Sequence, residues 1–251
     1  MKRNYHTHNE LCGHAEGTIE DYVKAACGFD MEELGLSDHI PFEQDDLPDR
    51  MRFASLEGYC RTIEELKEKY SGRIKLFCGF EAEHFPARNS YYEKLLTNGT
   101  AEYLLLGQHY FIRDDGRLTD VFRTLSGSED AIEYAKAAMA GMATGYFKCL
   151  AHPDLFMLGG WTPDRNTDEA CDIILNEAVK HDYVLELNAN GLRHKRDAYP
   201  SMYFWKKAAQ TNVRVIIGAD AHKPEALGDE AIKKCEKIAK ELHLNLIDNL
   251  L

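Results

Sequence analysis

Short apolar runs recur along the chain, each followed by polar, loop-like residues and then by a helical pattern. Seven of them read as strands, near Arg3–His6, Leu34–Ser37, Ile74–Phe80, Tyr103–Gly107, Lys148–Ala151, Tyr183–Leu187 and Val213–Gly218. Several, such as YLLLG at 103–107 and VRVIIG at 213–218, are nearly continuous apolar stretches, as expected of strands covered on both faces. Amphipathic helices are expected over Thr18–Leu34, Ser55–Tyr70, Ser128–Thr144, Thr167–His181, Pro200–Thr211 and Lys223–Leu242, with a weaker one near Arg88–Asn98. Thr18 and Asp21 form an acidic variant of the capping box at the first of these. In the second, Ile63 and Leu66 fall on one face while Glu64, Glu65, Lys67, Glu68 and Lys69 point outward. Strand and helix alternating seven times predicts βαβ units around a parallel sheet, the α/β class. No Gly/Ser/Pro-rich linker or low-complexity stretch interrupts residues 1–251, so one domain is expected. Periodicity alone leaves a doubly wound sheet and a closed barrel both open.

Composition narrows the function more than the fold. At 251 residues, 44% hydrophobic and 29% charged, the chain has the make-up of an ordinary globular protein. No apolar run approaches the roughly 18 residues of a membrane-spanning helix, and the start MKRNYHTHNE lacks the apolar stretch of a secretory signal. Seven scattered cysteines without a CxxC pair argue against a disulfide framework and against a thiolate zinc site, and point to reduced thiols in a cytoplasm. A formal net charge of −12 disfavours a nucleic-acid partner. An acidic chain binds phosphate only where bound cations reverse the local field.

The histidines supply candidates for such a site. His6 and His8 end the first strand, His39 the second, Glu81 the third, His109 the fourth, His152 the fifth, and Asp220 with His222 the seventh; His14 lies in the loop after the first. Alternate strand positions share a face, so His6/His8, Glu81/Glu83 and Asp220/His222 can each aim at one centre. In a parallel barrel all strand C-termini open on one rim, where active sites form. Each feature has an ordinary reading of its own: His-x-His is a weak motif, Asp38–His39 suits a turn, and Asp220 suits a helix cap. Glu81 is harder to dismiss, because a buried unpaired carboxylate is costly. Six of seven strands ending in a ligand-type residue outweighs those readings and predicts divalent ions held by neutral His and ionised carboxylates. Nine ligands exceed the needs of one ion and imply two or three, with zinc, manganese and iron equally compatible. His84, His181, His194 and His243 fall off the rim and are expected at the surface or behind the ligands.

The run of HTH at 6–8, SDH at 37–39, GFEAE at 79–83, GQHY at 107–110, AHPD at 151–154 and GADAH at 218–222 resembles the PHP (polymerase and histidinol phosphatase) superfamily over nearly the whole chain. LCGHAEG at 11–17, RMR at 50–52, NANGLR at 188–193 and YP at 199–200 look most like its stand-alone histidinol-phosphate phosphatases. The resemblance implies a distorted seven-stranded (β/α) TIM-like barrel with a trinuclear site. The first ion would take His6, His8, Glu81 and Asp220. The second would share Glu81 and add His109 and His152, and the third would take His14, His39 and His222. Asp38, Glu83, Asp154 and Asn188 would orient the ligands. Family members carry basic residues soon after the fifth-strand histidine, whereas here DLFMLGGW at 154–161 is apolar up to Arg165. Arg193, Arg52 and His194 are then the expected substrate contacts.

The implied activity is hydrolysis of a small phosphate monoester, foremost L-histidinol phosphate, by a hydroxide that the cations make available near neutral pH. Glu81, Asp220 and Arg193 would serve catalysis, and a metal-bound water, Asp154 or His194 would protonate the leaving group. Competing classes are a phosphodiesterase or nucleotide-directed enzyme with the same metals, a non-catalytic metal-binding protein, and an amidohydrolase-type barrel. The last usually needs a carboxylated lysine, and no lysine ends a middle strand. The loops Ile40–Ala54 and Ile112–Gly127 are expected to wall the pocket.

Overall fold

The computed structural model describes residues 1–194 and 198–251. Its strands are β1 (Arg3–Asn4), β2 (Glu33–Leu36), β3 (Lys75–Ala82), β4 (Tyr103–Leu106), β5 (Tyr110–Ile112), β6 (Leu118–Asp120), β7 (Cys149–Leu150), β8 (Val184–Asn188), β9 (Arg214–Gly218) and β10 (Asn245–Leu246). The helices are α1 (Ile19–Gly28), α2 (Leu56–Lys69), α3 (Asn89–Thr97), α4 (Glu129–Ala143), α5 (Arg165–Lys180), α6 (Asn190–Arg193), α7 (Met202–Ala208) and α8 (Glu230–Glu241). All seven expected strands form, most shifted by a residue or two. The expected capping box closes α1, with Asp21 N donating to Thr18 Oγ1 and Thr18 N to Asp21 Oδ2. That helix ends at Gly28 rather than Leu34, because Asp30 turns left-handed (φ 54) to start β2.

One parallel sheet runs β1-β2-β3-β4-β7-β8-β9-β10 and curls into a TIM-like barrel. Its eighth strand was not expected: β10 is two residues long, too short to register as an apolar run, and pairs with Arg214 and Val215 at the start of β9. At the opposite rim the curled sheet closes through a single bridge, where His8 N donates to Ala221 O (3.0 Å) and Ala221 N to His6 O (3.3 Å). A further bridge, His39 to Glu81, prolongs β2–β3 pairing to the same rim. The expected loop at 112–127 holds part of a hairpin, with β5 and β6 antiparallel.

The barrel interior is layered. Tyr5, Phe77, Tyr103, Leu105, Cys149, Val184 and Ile216 fill its lower part, while the larger core lies between sheet and helices. Two to four positions further along the strands, on the same face, the inward residues become polar: Glu81 on β3, Glu186 and Asn188 on β8, and Asp220 after β9. The backbone makes room for them. A Cβ on Gly107 would overlap the Glu81 carboxylate, and one on Gly218 would overlap Glu186. Gly218→Ala is therefore expected to lower stability by about 1–3 kcal/mol and to reduce bound metal. Urea unfolding with metal analysis checks this, and a variant matching wild type in both would show that Glu186 has other room.

Candidate metal centre

Seven imidazoles and two carboxylates meet at the closed rim, and the way each ring is tethered decides which nitrogen faces the others. A carboxylate or carbonyl can only accept, so a ring nitrogen bonded to one carries the proton and the other is left as a lone pair. Nδ1 of His6 lies 2.8 and 3.0 Å from the Glu186 oxygens, that of His8 3.3 Å from Asp38 Oδ1, and that of His109 3.1 Å from Glu83 Oε1. Nδ1 of His14 is 3.2 Å from Cys12 O, and that of His222 is 3.2 Å from Asp220 O. All five rings thus turn Nε2 toward the cluster.

These nitrogens face one another in pairs: His6 with His8 at 3.1 Å, His109 with His152 at 3.2 Å, and His14 with His222 at 3.1 Å. Two Nε2 lone pairs at that separation repel. Two nitrogens of one tetrahedral zinc stand about 3.3 Å apart, given a metal–nitrogen distance near 2.05 Å. Glu81 spans the first two pairs. Its Oε2 is 3.3 Å from His6 Nε2 and 3.5 Å from His8 Nε2, and its Oε1 is 2.7 Å from His152 Nε2 and 3.3 Å from His109 Nε2. Asp220 Oδ1 lies 3.2 Å from His8 Nε2 and 3.2 Å from His222 Nδ1, yet is aligned as a hydrogen-bond acceptor with neither. This buried oxygen without a hydrogen-bond partner, among nitrogens with lone pairs to give, fits divalent cations. His39 differs from the simple allocation. Its Nδ1 is 3.2 Å from Glu81 Oε2, and its ring falls in one donor group with His8 and His222 and in another with Glu81 and His109, so it stands between the second and third positions.

Behind the rings lies a second layer of buried carboxylates. Glu83 is held by Arg50 through two contacts of 3.1 Å, and Asn188 Nδ2 joins Glu186 (2.7 Å) to Asp220 (3.0 Å). Glu186 was not among the expected residues. Its signal was present, since it is an acidic residue inside the apolar run VLEL at 184–187. Two ligand positions, His152 (φ 32) and Asp220 (φ 45), have left-handed backbones, a costly conformation that clusters at functional sites.

Other expected residues fall elsewhere. Asp154 is buried and does not line the cavity; its Oδ2 accepts from Ser201 N, and burial pushes it up to about 7, so it fixes the chain after Pro200 rather than meeting a substrate. Arg52 points to solvent outside the cavity, and Arg50, two residues earlier, lines it instead. Arg193 lines the cavity, but its guanidinium is spent on Asp229 (Nε, 2.7 Å), Ala226 O (2.7 Å), Ala219 O and Asp220 O, leaving no donor for a phosphate clamp. It is a positioning residue that anchors the backbone around Asp220. His194 caps α6 at the cavity edge. His84, expected at the surface or behind the ligands, is a core histidine whose Nε2 lies 3.1 Å from Asn89 Oδ1. The apolar stretch after His152 sends Leu155 and Phe156 into the core.

The cavity above the centre measures about 840 Å³. Pro48, Asp49 and Arg50 from one expected loop and Phe122 and Arg123 from the other wall it, joined by Lys223, Glu225 and Asp229. The PHP domain signature matches residues 4–190. The chain belongs to the PHP domain family. A Deinococcus radiodurans protein named "Probable histidinol-phosphatase" is 28% identical over 232 residues, spanning 89% of this PHP chain and 87% of that one. A Listeria monocytogenes crystal structure superposes with a TM-score of 0.79 at 19% identity, over 93% of this chain and 100% of the other. A Lactococcus lactis histidinol phosphate phosphatase, solved with zinc, L-histidinol and phosphate, gives a TM-score of 0.75 at 18% identity over 99% and 96% of the two chains.

Without metal, burial disfavours the charged rings, but Glu186, Glu81 and Asp220 outweigh it and hold His6 well above its ordinary value; Asp220 and Asp38 bring His8 to about 9. A raised value means a bound proton at pH 7, which an ion must displace. Burial and neighbouring rings, His8 foremost, instead keep His39 neutral, so it contributes none. Metal loading at pH 7 is expected to release at least two protons, from His6 and His8 with a share from His109, which Glu81 and Glu83 also raise, and to tighten as pH rises toward the His8 value. Calorimetry in two buffers of different ionisation enthalpy counts them; no release, or tighter binding in acid, would contradict this electrostatic account.

Proposed function

We propose that this PHP chain is a metal-dependent phosphatase carrying three divalent ions (zinc, manganese or iron) and hydrolysing L-histidinol phosphate to L-histidinol and phosphate in histidine biosynthesis, in a cytoplasm. The observation that carries the reading is the three facing Nε2 pairs with Glu81 across two of them. His6, His8, Glu81 and Asp220 would hold the first ion, Glu81, His109 and His152 the second, and His14, His39 and His222 the third. Bound cations supply a Lewis-acid field and water acidic enough to attack phosphorus near neutral pH. The chain's own residues do the rest. Glu186, Asp38 and Glu83 fix which imidazole nitrogen faces inward. The acidic centre admits a phosphate only when cations offset it.

The mouth supports a cationic leaving alcohol. Asp49 and Glu225 are carboxylates on the wall, and the rings of Tyr110, Phe122 and Tyr199 line it. L-histidinol, with an ammonium and an imidazole, matches both. His194 stands at the edge where a leaving group would sit.

The test is phosphate release from L-histidinol phosphate beside p-nitrophenyl phosphate and a nucleotide panel, on protein of known metal content. A kcat/KM of about 10⁴ M⁻¹s⁻¹ or more for L-histidinol phosphate is expected. Preference for nucleotides would move the chain to another phosphoester. Glu81→Gln is expected to lower turnover by about 10³-fold or more with the far-UV spectrum unchanged; substantial residual activity would remove Glu81 as the bridging residue.

A further inference from the structure

A phosphate dianion above the metal centre calls for a cation with donors to spare, and the cavity-lining arginines differ sharply in this respect. Among the described residues these are Arg50, Arg123 and Arg193. Arg193 is fully committed to Asp229 and to backbone carbonyls. Arg50 is 4% exposed and forked onto Glu83 and Ile40 O; pulling it away would strand a buried carboxylate. Arg123 is 59% exposed and, among the described residues, makes two ion pairs, NH1 to Asp120 (2.7 Å) and NH2 to Asp49 (3.0 Å).

The chain that carries it is anchored on the centre. Val121 N donates to His109 O (2.9 Å), and the Phe122 ring stacks on the His109 imidazole at 5.8 Å and 24°. Asp120 Oδ1 accepts from Phe122 N (2.8 Å), so the same aspartate sets the turn and steadies one arm of Arg123. Asp49 belongs to a different loop, 74 residues away in sequence, and meets Arg123 across the cavity wall. That pair is solvent-exposed, the class of ion pair that contributes least and exchanges most readily. A phosphate ester offers the guanidinium two oxygens at once, which a single Asp49 oxygen does not match.

Resting on the phosphatase reading above, we propose that Arg123 is the phosphate-gripping residue of this chain and that Asp49 is an internal stand-in for the phosphate, displaced when substrate enters. The β5–β6 side of the pocket thereby supplies the cation that the apolar stretch after His152 does not. Substrate entry then breaks the Arg123–Asp49 ion pair that ties loop 41–52 to the segment after β6, so specificity depends on both loops.

Binding of inorganic phosphate to the metal-loaded full chain, followed by calorimetry, tests this. Arg123→Ala is expected to weaken phosphate binding about tenfold or more. Arg123→Lys restores only part of it, because an ammonium lacks the planar fork. Asp49→Asn is expected to tighten binding about threefold, since the competitor loses its charge. Metal content and far-UV spectrum should match wild type in all three. Equal phosphate affinity in wild type and Arg123→Ala overturns the proposal and leaves the phosphatase reading intact. Weaker binding in Asp49→Asn overturns the stand-in role. A loaded wild type that neither binds phosphate nor releases it from any monoester overturns the phosphatase reading itself.

Discussion

Everything at the rim is arranged around the Glu81 carboxylate, 1% exposed and within 3.5 Å of five imidazoles. In a low-dielectric mouth an anion so placed needs positive charge, and the Arg50 guanidinium on the cavity wall is already paired with Glu83. Protonated histidines supply that charge in the metal-free chain, and divalent ions supply it better, because several Nε2 lone pairs can then point inward without repelling. The ring tethers, the glycines at 107 and 218 and the left-handed ends of two strands all serve that crowding.

The barrel is shaped by the same constraint. Its upper seam is one backbone bridge between the residue flanked by His6 and His8 and the one flanked by Asp220 and His222, so ligands from the first and last expected strands are brought side by side by closure itself. Lower down, β10 lies beside β9 and Tyr5 reaches Asn249, so the terminal segment fills the gap there. Arg193 pins the carbonyls of Ala219 and Asp220 from outside the seam. A residue expected to hold substrate thus works on the backbone that presents a ligand.

The mouth contrasts with the centre. There the charges are exposed and their pairs exchangeable, as between Arg123 and Asp49, whereas Arg50 and Glu83 below them are buried and fixed. Fixed pairs set geometry and exchangeable ones meet ligands. A net charge of −12 leaves the wall acidic, a field that bound cations would reverse at its base.

By itself the sequence determined the strand–helix alternation and the eight ligand-type residues at strand ends, with His14 in a loop beside them, because two-fold strand periodicity and the low cost of polar groups at a barrel rim leave direct traces in residue order. Glu186 was equally legible, as a lone acid in an apolar strand, but a carboxylate that meets a ring only at its far nitrogen resembles any buried polar residue until the ring is placed. Tertiary structure alone decided which cations are free. Arg193 and Arg52 carry the same guanidinium as Arg123, and their different roles follow from what each meets: Asp229 and two carbonyl-bearing turns, open solvent, or an exposed aspartate at the cavity mouth. Donor satisfaction is a property of contacts distant in sequence, so residue order could name the arginines without telling which of them had hydrogen bonds left to give.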